Sequence, residues 1–383
     1  MNRLTEDCLI EIGTEELPPR ALKTLAGDFA ELVGQQLQGL DLAPESVSIF
    51  ATPRRLAMIL HQVPTRQPDQ IIEKRGPALQ AAFDAAGNPS RAAEGFARSC
   101  DVSVEQLVRR ETDKGSWLYF EKTEPGQSLE QLLESVVSRA MGKLPIPKRM
   151  RWGTRGDDFV RPVKWLVMMI GSELVEGEVF GKRSAAWTYG HRFHSPGPIA
   201  LSQVSDYESS LLAGFVVASF DQRRLIIRDL IEKSAAQLGG FAHIEDALLD
   251  EVTALVEYPV AVCGAFDLEF LEVPAEALVM TMQDNQKYFA VFDQNQNLLP
   301  HFITISNIDS KNPGLVASGN ERVIRPRFAD ARFFYQQDLK HPLLQRRELL
   351  DKVVFQHQLG SIGDKVARIG RLARAIAAQL QAD

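Results

Sequence analysis

Lys148, Arg149 and Arg151 stand beside Trp152 in the stretch Leu144-Pro-Ile-Pro-Lys-Arg-Met-Arg-Trp-Gly153, with Lys143 just before it and Arg155, Arg161 and Lys164 just after. Guanidinium and ammonium groups next to an indole suit phosphate contact combined with stacking, which single-stranded or bent nucleic acid requires. Pro145 and Pro147 lack an amide donor and restrict the residue before them, so both cannot lie inside a regular helix; the cations are expected on a loop or a helix start. The same residues equally describe a solvated basic loop with Trp152 tucked into the core, because charge runs commonly form solvated faces. A second cluster, Arg54-Arg55, follows Thr52-Pro53. A third runs from Asn320 to Phe334 and holds Arg322, Arg325, Arg327 and Arg332, interleaved with or followed by Phe328, Phe333, Phe334 and Tyr335. Aromatics at that helical spacing suit a core better than a base platform, yet three basic clusters on one chain favour polyanion binding.

Other chemistry is less well supported. His191-Arg-Phe-His194 follows a strand-like run, and on a strand the two imidazoles would point to opposite faces. No cysteine or carboxylate lies at ligand spacing, so no metal is assigned there, and with Arg192 the pair is left as a phosphate contact or as ordinary histidines. The chain holds no nucleophile elbow, Walker loop or Rossmann glycine pattern. Gly239-Gly240 ends a helix and does not open one. The pairs Glu15-Glu16 and Asp157-Asp158 are adjacent in sequence, which does not place two carboxylates across one bond. No catalytic residue is assigned.

The totals bound the answer. With 383 residues the chain is long enough for two or three domains, and 45% hydrophobic with 24% charged residues is ordinary for a globular protein. The formal net charge of −7 excludes a basic nucleic-acid coat, so any RNA contact must use local patches. Three cysteines, Cys8, Cys100 and Cys263, form neither a disulfide framework nor a zinc spacing, which implies a reducing, cytoplasmic setting. The start has no signal-peptide core, and the longest apolar run, Val163 to Ile170, is too short for a bilayer. No membrane association is expected.

These residues must be positioned by an α+β fold with several lobes, its mixed or antiparallel sheets packed with helices and its end helical. Cys8 to Gly13 reads as a strand. Pro18 and Pro19 open a helix that continues over Ala21 to Leu40, and two strands flank a bend at Pro53. Residues 75–107 read as two short helices broken at Gly87-Asn88-Pro89. A strand at Trp117 to Lys122, a helix at Leu129 to Leu144, and strands at Val163 to Ile170, Glu173 to Phe180 and Ala186 to Phe193 follow. A helix from Gln222 to Leu238 stops at Gly239-Gly240. Strands are expected at Val260 to Cys263, Tyr288 to Phe292 and Phe302 to Ser306, with Asp293 to Asn297 as a hairpin turn. From Arg332 the chain reads as mostly helical. The weakest boundaries, near Pro64 to Pro68 and Ser310 to Gly319, divide it into residues 1–66, a βαββ region; 67–150, helical with a hairpin; 151–310, sheet-rich; and 311–383, helical.

Several of these stretches together resemble one family. Ile10-Glu-Ile-Gly-Thr-Glu-Glu-Leu-Pro-Pro-Arg20, Thr52-Pro-Arg-Arg-Leu-Ala57, Glu73-Lys-Arg-Gly-Pro77, Ala92 to Arg98, Leu144 to Gly153 and Phe159-Val-Arg-Pro-Val163 occur in its order. So do Gly190-His-Arg-Phe193, Val273 to Leu278, Gln286-Lys-Tyr-Phe289, Gly319-Asn-Glu-Arg322 and Phe355 to Gly360. The family is the beta subunit of bacterial heteromeric glycyl-tRNA synthetase. The resemblance implies an amino-terminal portion of a subunit that binds tRNA(Gly) and an alpha subunit to support ATP-dependent charging with glycine. It implies that ATP and Mg are used through the alpha subunit, with no cofactor on this chain and no DNA partner. It further implies that the chain stops before an HD-type helical domain. No short signature of the family assigns RNA contacts, so Lys148, Arg149, Arg151, Trp152, Arg54, Arg55, Arg192, Arg322 and Arg325 are candidates by charge alone. The same cations could instead pin carboxylates within the arm or at the alpha interface. The competing class is a free-standing RNA-binding or scaffold protein derived from such a subunit.

Overall fold

A computed structural model describes residues 4–84, 87–112, 115–146, 148–154 and 156–382. Pro147 and Arg155, named above, lie outside the described residues, as do residues 1–3. The chain divides into two compact units, residues 1–226 with 250–259, and residues 227–249 with 260–383.

The first unit is built on a strand buried on both faces. β1 (Thr5–Thr14) is fully buried from Cys8 to Thr14. Side chains alternate along a strand, so an unbroken buried run needs a packed layer on each side. Helix α1 (Pro19–Gly39) supplies one layer, presenting Leu22, Leu25, Ala26, Phe29, Ala30, Val33 and Leu37 at helical spacing. Cys8, Ile10 and Ile12 share that core with Leu56, Met58, Leu60, Leu166 and Met168. Leu9 faces the other way, into a core with Ala57, Ile59, Trp165, Val167, Met169, Tyr207 and Leu211.

β2 (Ser46–Thr52) and β3 (Arg55–Pro64) form the hairpin expected around Pro53. Beyond it, β4 (Gln70–Ala78), the short helix α2 (Leu79–Ala82), α3 (Arg91–Ser99), β5 (Val108–Thr112) and β6 (Gly115–Glu124) make a separate three-stranded sheet in the order β4-β6-β5. Residues 75–107 thus hold two short helices as expected, but they are preceded by a strand that the sequence reading missed. β4 is mostly exposed, with Glu73, Lys74 and Arg75 in its middle, so it shows none of the apolar alternation that marks a half-buried strand.

Helix α4 (Leu129–Lys143) begins with a capping box between Ser128 and Gln131 and ends before Pro145. β7 (Met150–Arg151) and β8 (Asp158–Phe159) pair as a small hairpin. β9 (Val163–Ile170) and β10 (Glu173–Leu174) then complete an antiparallel sheet in the order β10-β9-β1-β3-β2. Regions 1–66 and 151–310 of the sequence reading therefore share one sheet, with Ile10 opposite both Met58 and Met168. A pairing over more than 150 residues leaves no local signal.

The second unit holds a four-stranded antiparallel sheet of Phe241–Ala242, Phe289–Phe292, Leu298–Ser306 and Val260–Ala265, in that spatial order. The expected hairpin turn is present: the Asp293 carboxylate accepts from the Asn295 and Asn297 amides, each at 2.8 Å. The helix Phe220–Gln237 stops where Gly239 takes a φ of +80°, as a glycine stop should. A long helix spans Pro313–Leu339, so helix begins well before Arg332; Pro313 sits in its first turn, where a proline costs no hydrogen bond. Among the described residues no helix is long and apolar enough to cross a membrane.

Candidate functional site

The ends of β1, β3 and β9 bring together four of the stretches singled out in the sequence. The Thr14 amide donates to Arg54 O at 2.8 Å, the Glu15 amide to Pro162 O at 3.0 Å and the Leu17 amide to Pro53 O at 2.6 Å. Around this frame the Glu15 carboxylate accepts from Lys164 at 3.2 Å and from Arg192 at 2.8 Å, and Arg192 also reaches Glu16 at 3.1 Å. Burial works against the Glu15 charge, but the hydrogen bonds from Lys164 and Arg192 outweigh it and hold its pKa below the ordinary carboxylate value.

Beneath that surface lies a sealed ion-pair network. Arg55 and Glu11 are both 0% exposed. Arg55 donates through Nη1 to Glu11 Oε1 at 3.2 Å and to Thr188 at 3.3 Å. Its other bonds run to Tyr189 O at 2.7 Å, Glu257 at 3.3 Å and Thr52 at 3.2 Å. Glu11 Oε1 also accepts from Trp165 Nε1 at 3.0 Å and Thr188 at 2.8 Å, and Glu257 accepts from Thr52 at 2.7 Å. Burial pushes the Glu11 carboxyl up despite Arg55. Burial also opposes the Arg55 charge, but Glu257 and Glu11 outweigh it and raise its pKa. Arg55 was expected to offer its charge to RNA; the structure corrects this, because no part of its side chain reaches solvent and its guanidinium is occupied by internal acceptors. Its neighbour Arg54 is half-buried, with its guanidinium 5.6 Å from the Trp165 ring.

A groove opens beside this end of the sheet, about 710 Å³ in volume and lined by the start of α1, by Pro145, Ile146, Lys148, Arg149 and Met150, and by Val160 and Arg161. Arg149 braces its wall: it donates to Asp158 at 3.0 Å and to Gly142 O and Leu144 O at 3.3 and 3.2 Å. Arg161 donates to Glu16 O at 2.8 Å. Lys148 and Arg151 are exposed. Trp152, expected to supply a stacking face, instead packs against the main core and meets Phe180 edge-on at 6.1 Å. The loop-or-helix-start expectation for these cations is also refined, since Arg151 lies in β7.

His191 and His194 do not alternate on a strand. They occupy a turn in which His191 Nδ1 accepts the amides of Phe193 and His194, each at 3.3 Å, and the two rings lie 4.8 Å apart. The expectation of opposed faces fails because the strand ends at Tyr189.

In the second unit, Arg322 and Arg325 are exposed on the Pro313–Leu339 helix, and Arg325 faces Asp267 at 3.4 Å. The expected core role of the aromatics divides: Phe328 is fully buried, whereas Phe333 and Phe334 are exposed. Tyr288 donates to Asn320 at 2.6 Å, joining two further stretches of the sequence reading as structural partners. Sequence reasoning missed Glu11, Trp165, Thr188 and Glu257. A signal for one of them was present: Glu11 sits inside Leu9-Ile-Glu-Ile12, where a carboxylate in a fully buried strand demands a cation.

Comparison with known proteins places this geometry in context. A family model described as glycyl-tRNA synthetase beta subunit matches residues 8–383. A glycine–tRNA ligase beta subunit from Hahella chejuensis is 48% identical over 379 residues, covering 99% of this chain and 55% of the relative. One from Pasteurella multocida is 50% identical over 380 residues, with the same shares. The chain spans about half the length of the curated relatives it matches.

Proposed function

The chain belongs to the glycyl-tRNA synthetase beta-subunit family, and from that premise we propose that it forms part of a glycine–tRNA ligase, binding tRNA(Gly) and an alpha subunit in the cytoplasm. The observation that carries this is the match over residues 8–383, reinforced by the way Ile10 to Arg20, Thr52 to Ala57, Phe159 to Val163 and Gly190 to Phe193 converge on one end of a sheet. Glycine activation with ATP and Mg is assigned to the alpha subunit, and this chain supplies binding surface. Arg151, Arg192, Arg322 and Arg325 retain exposed side chains and are the proposed phosphate contacts, with Arg54 half-buried behind them and Lys148 at the rim of the groove. Arg149 and Trp152 position that segment.

The test has two parts. The chain, extended to the length of its relatives, is co-purified with the alpha subunit, and the complex is assayed for glycine charging. The isolated chain is then assayed for glycine-dependent pyrophosphate exchange. Charging by the complex with no exchange by the chain alone is expected. Exchange by the chain without alpha would overturn the assignment of the adenylation site.

A further inference from the structure

The groove beside α1 has a composition that the proposed tRNA contacts do not explain. Pro18, Ala21, Leu25, Pro145, Ile146, Met150 and Val160 form an aliphatic floor, and Arg20, Lys148, Arg149 and Arg161 stand around it. Among the described residues lining it, none is a carboxylate, although the chain as a whole carries a net charge of −7. α1 begins at its lip, so the positive end of a 21-residue helix adds to the same field. Arg149 and Arg161 are held by internal acceptors, which leaves Lys148, exposed, and Arg20, exposed and paired only at the surface with Glu251 at 3.5 Å, as the charges facing solvent.

A nucleic acid fits this lining poorly. Base recognition in a groove uses aromatic platforms or side chains that reach base edges. Among the described residues that line it there is no aromatic ring, and Thr24 is the one uncharged polar residue. A floor of aliphatic side chains instead accepts the apolar anchor of a peptide, and a cationic rim selects acidic flanks. The volume is that of a site for a few side chains.

We propose that this groove docks an acidic segment of a partner protein, seating an apolar side chain on the floor and carboxylates against Arg20 and Lys148. The proposal stands apart from the tRNA reading and survives its failure.

The experiment uses a display library of random 12-residue peptides selected against the chain, with two variants as counter-targets. Lys148→Glu reverses an exposed rim charge, and Thr24→Trp fills the groove from an exposed position. Peptides whose binding weakens at least tenfold in both variants are expected to carry two or more Asp or Glu residues around a Leu, Ile, Met or Phe. Unchanged melting curves of the variants exclude misfolding. Failure to recover any peptide sensitive to both variants, or recovery of sensitive peptides that are neutral or basic, overturns the proposal. So does loss of binding to a short oligouridine in both variants with peptide binding intact, which would make the groove an RNA site.

Discussion

Replacing Arg55 with methionine removes the cation from between two buried carboxylates while keeping most of the side-chain volume. Five acceptors lose their donor: Glu11, Thr188, Tyr189 O, Glu257 and Thr52. Glu11 keeps Trp165 and Thr188, and Glu257 keeps Thr52, so each carboxylate retains hydrogen bonds but neither retains this charge partner. Breaking a buried pair from one side costs about 3–5 kcal/mol, here chiefly at Glu11, since Arg54 and Arg223 still act on Glu257. That is a large share of the roughly 5–15 kcal/mol that stabilises a domain. Glu11→Gln perturbs the same network differently. Burial already raises the Glu11 carboxyl, so ionised Glu11 contributes stability below that of its neutral form: on raising the pH from the unfolded carboxylate value, near 4.3, through the folded one, stability falls and then levels off. A glutamine avoids that loss, and Arg55 keeps Glu257. Glu11→Gln should therefore cost about 1 kcal/mol or less, and added to Arg55→Met it should recover part of the larger loss, with a coupling of about 0.5–3 kcal/mol. Urea unfolding followed by fluorescence and by circular dichroism measures all three variants. An Arg55→Met cost below about 1 kcal/mol, or a Glu11→Gln cost equal to or above it, would refute the reading of Arg55 as the centre of a buried network.

Three further outcomes follow from the same geometry. The Glu15 carboxyl should titrate below an ordinary glutamate, and Lys164→Gln or Arg192→Gln should move it upward by NMR; its stabilising contribution is present above the unfolded value and lost as pH falls through the depressed one. Gly13→Ala should destabilise by about 2 kcal/mol or more, since the added Cβ would lie 1.9 Å from Trp165, and moving that ring disturbs its bond to Glu11; an unchanged urea midpoint would show that the ring shifts freely. Arg149→Gln should lower the melting temperature with little effect on the salt dependence of tRNA binding, whereas Arg151→Gln should leave melting unchanged and flatten the log–log slope by somewhat less than about one unit. The reverse pattern would exchange their roles.

Some helices were legible because their signals are local, whereas Tyr207–Ala213, Asp246–Thr253 and Ala275–Met280 were not read. The stop at Gly239 and the proline start of α1 can each be read within a few residues. The sheet's order was not, since β9 reaches β1 across more than 150 residues and an isolated strand does not name its partner. The same limit explains the candidate site. Arg54 and Arg55 look identical as a pair of charges, yet Arg55 opens β3 and points inward beside Glu11, while Arg54 stays in the turn. Strand alternation separates them once the bend at Pro53 is fixed, and Glu11, a carboxylate inside an apolar strand, already calls for a buried cation. Trp152 shows the opposite case: an indole among four charges suggests a surface, but Phe180 lies on the far side of β9 in sequence and takes its edge. A basic residue next to an aromatic is therefore weak evidence for RNA until burial is known. Charges that remain exposed, such as Lys148 at the rim of an aliphatic groove, are the ones on which a partner can act.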